Sequence, residues 1–223
     1  MVRKSWRSTI NVMAAILFDM DGVLIDSEIV YLGFIRDFLL SKNVTCELTQ
    51  LYPIVGSTLE KTYELIASHL PQPNEITWVA QEYERFVETR AVDYSQIMFP
   101  GVIEVLDHVR AKGYKMGLAS SSGMENIRHV LDVCGLNDYF DVVVSGDQFH
   151  QSKPHPEIYQ FTANQLNVSP NECLVIEDSV YGIQAAKSAG MKVIAIRDKR
   201  FSSDTSLADH AVDSLPEVLS FIS

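Results

Sequence analysis

Four short segments of the 223-residue chain hold side chains that could do chemistry: Asp19-Met20-Asp21-Gly22, Ser120-Ser121-Ser122, Lys153 and Glu177-Asp178. Each has an ordinary explanation when taken alone. Asp-Gly is a turn signal, Ser121, Ser122, Asp178 and Ser179 would serve as helix caps, and a lysine before Pro154 in a polar loop is normally solvated. Yet each segment falls where a buried strand should reach its carboxyl end, Lys153 after a loop. Four carboxylates, one lysine and several hydroxyls are therefore directed to one end of a sheet. Converging carboxylates raise one another's pKa and cost stability unless a cation offsets them. Hard oxygen ligands with few supporting nitrogens or thiolates suit Mg²⁺, which often binds one or two carboxylates together with substrate phosphate. The lysine, hydroxyl and amide donors would hold the remaining phosphate oxygens. The set fits phosphoryl transfer.

The elements that must position these groups follow from periodicity. Short continuous apolar runs at Ala14–Phe18, Lys115–Ala119, Val142–Ser145, Cys173–Ile176 and Lys192–Ile196 have the pattern of strands buried on both faces. Helical stretches lie between them, over Val102–Lys112, from a Ser122-x-x-Glu125 capping box to Gly135, over Glu157–Leu166 and over Val180–Ala189. Strands alternating with helices predict an α/β, Rossmann-like, doubly wound parallel sheet, made of residues 14–28 and 98–223. Residues 29–97 break the rhythm. They show amphipathic helices at Ile29–Leu40, Thr58–Leu70 and Ile76–Thr89, punctuated by Pro53, Pro71 and Pro73, and no clear strand. A block this long cannot be a βα connection, so an inserted all-helical cap domain is expected after the first strand. Residues 1–13 carry Arg3, Lys4 and Arg7 with no acid, and no apolar stretch follows, so a disordered leader is expected there.

Composition narrows the partners. Eighteen Lys and Arg against 29 Asp and Glu leave a formal net charge of −11, which disfavours nucleic acid and anionic lipid surfaces. Cys46, Cys134 and Cys173 are far apart and odd in number, which argues for a reducing compartment and against disulfides or structural zinc. No apolar run approaches the roughly 20 residues that span a bilayer. A cytoplasmic monomer is expected, with a small phosphorylated metabolite as its partner.

The chain resembles the haloacid dehalogenase superfamily of aspartyl phosphotransferases. Phe18-Asp19-Met20-Asp21-Gly22-Val23-Leu24-Ile25-Asp26-Ser27-Glu28 is similar to its first motif and Gly117-Leu118-Ala119-Ser120 to its second. Ser152-Lys153-Pro154 and Ile176-Glu177-Asp178-Ser179 with Gly182 are similar to the third and fourth. The resemblance implies Asp19 as nucleophile, and Mg²⁺ on the Asp19 carboxylate, the Asp21 backbone carbonyl and Asp178, with Glu177 in or near the water shell of the ion. It further implies phosphoryl-oxygen contacts from Ser120, Lys153 and the backbone N–H groups of Asp21 and Ser121. Asp21 would protonate the leaving alcohol and then deprotonate water. At its ordinary pKa only about one Asp in a thousand is protonated at pH 7, so burial must raise it. Closure of the cap, hinging at Asp26–Ile29 and Ser95–Gly101, is expected to supply that burial.

Within the superfamily, an aspartate two residues after the nucleophile argues against dehalogenation, which needs no protonated alcohol. The helical insert resembles the cap of the β-phosphoglucomutase-like branch. Three departures weigh against a mutase: Tyr31 where a histidine is expected, Leu59 where an arginine should follow the glycine matching Gly56, and Gly123 where a lysine is expected. The cap counts five Lys and Arg against nine Asp and Glu, so it lacks the second set of cations a bisphosphate needs. Arg36 and Lys61 are the cap cations left as candidate substrate contacts, with a solvated helix face the preferred reading of each. The function expected is a Mg²⁺-dependent phosphatase of small phosphorylated metabolites, sugar phosphates above all. The alternatives are a phosphosugar mutase and a catalytically dead binding module.

Overall fold

Ala15–Phe18 (β1) is buried at every residue, because it lies in the middle of a sheet covered on both faces. The computed structural model describes residues 13–55, 57–72, 75–201 and 203–222. The chain divides into two compact units, one running to Asp26 and resuming at Tyr94, the other Ser27–Asp93.

The first unit is an α/β sandwich. After β1 come α5 (Val102–Ala111), β2 (Lys115–Ser120), α6 (Met124–Val133) and β3 (Val142–Ser145). They are followed by α7 (Glu157–Gln165), β4 (Cys173–Glu177), α8 (Val180–Ser188), β5 (Lys192–Ile196) and β6 (His210–Val212). The six strands are all parallel in the order β3-β2-β1-β4-β5-β6. One face of the sheet presents Ala15, Leu17, Ala119, Val144, Cys173, Val175, Val193 and Ala195 to α7 and α8. The alternate residues Ile16, Phe18, Met116, Leu118, Leu174 and Ile176 are equally buried on the other face. The sixth strand has no apolar run to mark it. Its place is set instead by Asp209, whose Oδ2 accepts the Val193 N–H at 2.9 Å and pairs with Lys187 at 2.7 Å, while Oδ1 pairs with Lys192 at 3.0 Å.

The second unit holds α1 (Ser27–Ser41), α2 (Leu48–Leu51), α3 (Leu59–His69) and α4 (Ile76–Val87). The one-turn α2 carries no long apolar period, and the sequence reading passes over it. Leu32, Ile35, Phe38, Leu39, Leu51, Ile66 and Val79 form the core of this unit, and the Phe38 ring meets Tyr83 and Phe86 edge-on at 5.5 and 5.4 Å. Arg36 pairs with the neighbouring Asp37 at 3.3 Å, and the Arg90 guanidinium lies 3.9 Å from the centre of the Phe86 ring. Leu59 is 70% exposed.

The unit boundaries differ from the expected 29–97 for local reasons. Ser27 and Glu28 already belong to the first turn of α1. Tyr94 turns back to the sandwich, where its hydroxyl donates to Asn126 at 2.8 Å and its ring meets His129 edge-on at 5.6 Å. The stretches that join the units are paired: Phe99 N–H donates to the Leu24 carbonyl at 2.9 Å and Asp26 N–H to the Ile97 carbonyl at 2.7 Å. Arg200 clamps both Asp26 carboxylate oxygens, each at 2.8 Å. Met13, assigned above to the leader, is buried, and the Ala14 N–H donates to the Glu172 carbonyl at 2.8 Å. The rest of the leader, with Gly56 and Pro73, lies outside the described residues.

Asp209 offers a stability test. Burial pushes its carboxyl up, but Lys187, the Val193 N–H and Lys192 outweigh that and hold it below the usual carboxylate range. A depressed folded-state pKa contributes stability above the unfolded value of about 4 and loses it as pH falls through the folded value. Asp209→Ala is expected to cost about 1–3 kcal/mol in urea denaturation at pH 7, because it leaves the Val193 N–H without its acceptor. The gap between wild type and Asp209→Asn is expected to narrow below about pH 4.

Candidate active site

The strand order reverses between β1 and β4, so connections leave the two strands in opposite directions and open a crevice beyond their carboxyl ends. Asp19 follows β1 directly, and its N–H donates to the Ile176 carbonyl at 3.0 Å, extending the ladder by one step. Glu177 ends β4. The two-residue alternation of a strand puts it on the same face as Cys173 and Val175, toward α7. Lys153 reaches that face from the loop ahead of α7, where the Lys153–Pro154 bond is cis.

These side chains meet in a buried cluster. The Lys153 ammonium donates to Asp19 Oδ1 at 2.7 Å, Glu177 Oε1 at 2.8 Å and the Ala119 carbonyl at 3.1 Å. All three of its protons are thereby directed. Glu177 is fully buried and has five donors. Lys153 and the Tyr159 hydroxyl (3.0 Å) meet Oε1, while the N–H groups of Asp178 and Ser179 (both 2.9 Å) and the Ser179 hydroxyl (3.0 Å) meet Oε2. Ser179 also caps α8 by accepting the Gly182 N–H at 3.0 Å.

The charges differ for physical reasons. Burial works against the Lys153 ammonium, yet the flanking Asp19 and Glu177 carboxylates hold its pKa well above the usual lysine range. Burial also pushes Glu177 up, but Lys153, the Ser179 N–H and the Tyr159 hydroxyl hold it below the usual carboxylate range. Asp19 shares the same lysine without that ring of donors. Burial, with Glu177 and Asp21 adding to it and Lys153 opposing it, pushes the Asp19 carboxyl up to about 7. A single lysine is too little positive charge for this group of acids.

A divalent cation would make up that deficit. Carboxylate oxygens of Asp19, Glu177 and Asp178 lie within 4.8 Å of one another. Gly22, at φ +76°, has no side chain where a Cβ would sit 2.0 Å from Asp178 Oδ2, so the first loop packs against that carboxylate. An all-oxygen donor set of this kind fits Mg²⁺. Glu177 lies inside the 4.8 Å group, but its oxygens are already met by five donors from the protein.

Asp21 stands on the other side of the loop, where Oδ2 accepts the Ser122 hydroxyl at 2.8 Å and lies 3.4 Å from the Ser120 hydroxyl. Ser120 is fully buried at the end of β2 and its Oγ accepts the Ser122 N–H at 3.0 Å. The Ser121 side chain is exposed. The expected Ser122–Glu125 capping box does not form. Helix α6 starts at Met124 with Gly123 as its cap, because Asp147 takes the Met124 N–H at 3.3 Å and Ser122 turns to Asp21 instead. Sequence reasoning placed Ser122 among the caps and passed over Tyr159. The available signal for Tyr159 was a phenol six residues after Lys153 on the apolar side of a helix, where a buried hydroxyl must find a partner. Trp78 is partly exposed beside Lys42, and Cys134 is partly buried. His155 is exposed, 3.7 Å from Glu157.

Gly182 tests the cluster. A Cβ there would stand 1.6 Å from Glu177 Oε1. Gly182→Ala must push Glu177 aside and release Lys153, and misplacement by an ångström costs on the order of 10²-fold in rate. A loss of that size in hydrolytic turnover is expected with the circular dichroism of the fold retained.

Comparison with known proteins agrees with the geometry. The profile of haloacid dehalogenase-like hydrolases matches residues 16–196. Hexitol phosphatase B of Escherichia coli K12 is 32% identical over 220 residues, spanning 95% of this chain and 96% of that protein. The phosphorylated carbohydrates phosphatase of Thermotoga maritima is 36% identical over 187 residues, 82% of this chain and 84% of that protein. Protein SUPPRESSOR OF QUENCHING 1 of Arabidopsis thaliana is 34% identical over 188 residues, but the match spans only 18% of that longer protein. Among solved structures, β-phosphoglucomutase from Clostridium difficile superposes with a TM-score of 0.69 at 26% identity, covering 92% of this chain and 93% of that one. The chain belongs to the haloacid dehalogenase-like hydrolase family.

Proposed function

We propose that the protein is a Mg²⁺-dependent phosphatase of small phosphorylated carbohydrates that works through an aspartyl-phosphate on Asp19. The observation that carries this reading is the buried Lys153 shared at 2.7 and 2.8 Å between Asp19 and Glu177, beside a second carboxylate, Asp21, held by Ser122. Asp19 and Asp178, with the Asp21 carbonyl, would hold the metal, whose chemistry is to neutralise phosphate charge and orient the phosphoryl group for in-line attack. Glu177 acts from behind by keeping Lys153 charged and aimed.

The steps balance. An Asp19 carboxylate oxygen attacks phosphorus, the bond from phosphorus to the sugar oxygen breaks, and the Asp21 carboxyl gives that oxygen its proton. Water then attacks the aspartyl-phosphate, Asp21 takes the proton back, phosphate departs and the Asp19 carboxylate returns. Ser120, the backbone N–H groups of Asp21 and Ser121, and Lys153 hold the phosphoryl oxygens, where losing one donor typically costs on the order of 10²–10³ in rate. The helical unit Ser27–Asp93 would act as the cap that selects substrate.

Two phosphatase relatives that act, by name, on hexitol phosphate and phosphorylated carbohydrates support this substrate class. The mutase reading is kept by the likeness to β-phosphoglucomutase. Against it stand Tyr31, the exposed Leu59, Gly123 and an Arg36 already paired with Asp37.

Phosphate release from a panel of hexose and hexitol phosphates, with the sugar product followed in parallel, tests the choice. Release is expected from several substrates and is expected to disappear with chelator, to return with Mg²⁺, and to be absent from Asp19→Asn. Conversion of β-glucose 1-phosphate to glucose 6-phosphate with little free phosphate would establish the mutase. No turnover of any phosphomonoester by the Mg²⁺-loaded protein would establish a binding module.

A further inference from the structure

Ser145 is an anomaly that the proposed chemistry leaves unused. It ends the apolar strand β3, is completely buried, and lies opposite Ser120 in the ladder with β2. A buried hydroxyl costs free energy unless its hydrogen bonds are made, and an alanine there would carry no such requirement. Its partners are both loop groups. The Ser145 hydroxyl donates to the Ser122 carbonyl at 2.8 Å and accepts the Asp147 N–H at 3.1 Å. Asp147 in turn takes the Met124 N–H at 3.3 Å.

Steric constraints hold the same loop from the same side. A Cβ on Gly146 would stand 3.0 Å from the Ser121 carbonyl, and one on Gly123 would stand 3.0 Å from Asp147 Oδ2. Residues 145–147 thus grip the backbone of Ser121, Ser122 and Met124 at close range. The free end of that loop is the Ser122 hydroxyl, 2.8 Å from Asp21 Oδ2. Ser120 adds its own brace by accepting the Ser122 N–H. Ser122 is therefore held through both its carbonyl and its N–H, which leaves its side chain to aim Asp21.

We infer that Ser145 is a positioning residue for Asp21, acting from β3 through the Ser122 carbonyl. The inference rests on the proposed role of Asp21 as acid and base. Asp21 has to meet the leaving oxygen and later the attacking water within hydrogen-bond reach, so its carboxylate must be held in one orientation for both half-reactions. The chain Asp147 N–H to Ser145 hydroxyl to Ser122 carbonyl supplies a rigid support from a sheet strand, and linked hydrogen bonds of this kind reinforce one another.

The test is a double-mutant cycle in the full-length Mg²⁺-loaded protein, using the substrate that ranks highest in the panel. Ser145→Ala is expected to lower kcat on the order of ten- to a hundredfold with KM within about twofold, since the defect lies in orientation rather than binding. In a Ser122→Ala background the same substitution is expected to lower kcat by less than about twofold, because its effect passes through a hydroxyl already removed. An unchanged kcat in Ser145→Ala, or losses that multiply in the double variant, would overturn the inference. Should Ser145→Ala not fold, Ser145→Cys enters the same cycle under the same criterion. Asp19→Asn and Asp21→Asn run alongside. If either keeps wild-type turnover, the proposed reaction has failed. If both abolish it while the cycle is additive, only the role of Ser145 has failed.

Discussion

A buried ammonium between two carboxylates is the constraint on which this site depends. Lys153 is enclosed by the sheet and α7, where a charge is stable only if it is met on all sides. Asp19, Glu177 and the Ala119 carbonyl meet it, and each of those arrives from a different strand. Register in the central three strands and the reach of one loop lysine therefore have to agree to within a hydrogen-bond length. A parallel sheet with fixed pairing from β2 through β1 to β4 provides that agreement.

The same cluster divides labour between acids that look alike in sequence. Glu177 is ringed by donors and pairs with the lysine, and together these hold its carboxyl below the usual carboxylate range. Asp19 shares the lysine without that ring, and burial leaves its carboxyl raised to about 7, a group in want of further positive charge. Asp21 sits one turn of loop away among hydroxyls. Three carboxyls that look alike in sequence thus have three environments: Glu177 ringed by donors, Asp19 beside the lysine, and Asp21 among serine hydroxyls. Small residues make this packing feasible: Gly22 and Gly182 leave the volumes that Asp178 and Glu177 occupy.

Much of this was legible along the chain. Five buried strands announce themselves as apolar runs, with ends within a residue of those observed; the acids and Ser120 follow those runs directly, and Lys153 comes after a loop. The helical unit was legible as an interruption of the α/β rhythm. What escaped had no local signature. Strand β6 is three residues long and is secured by Asp209 through Val193 and two lysines, contacts that are distant in sequence. The Ser122–Glu125 pair has the spacing of a capping box, but a tertiary partner, Asp21, claims the Ser122 hydroxyl.

The sequence by itself determined the residue types, their order and the buried strands they follow, because hydrophobic periodicity and chain direction are local properties. It therefore determined the fold class and the identity of the acids and the lysine, while the strand order that reverses between β1 and β4 came from the tertiary structure. Only the tertiary structure decided what each group does. Tyr159 and Ser179 enclose Glu177, Ser122 turns to Asp21, and Ser145 holds Ser122, through contacts that cross from one element to another. A carboxyl's charge and aim depend on burial and on donors brought by distant segments, and those exist only after the strands have paired.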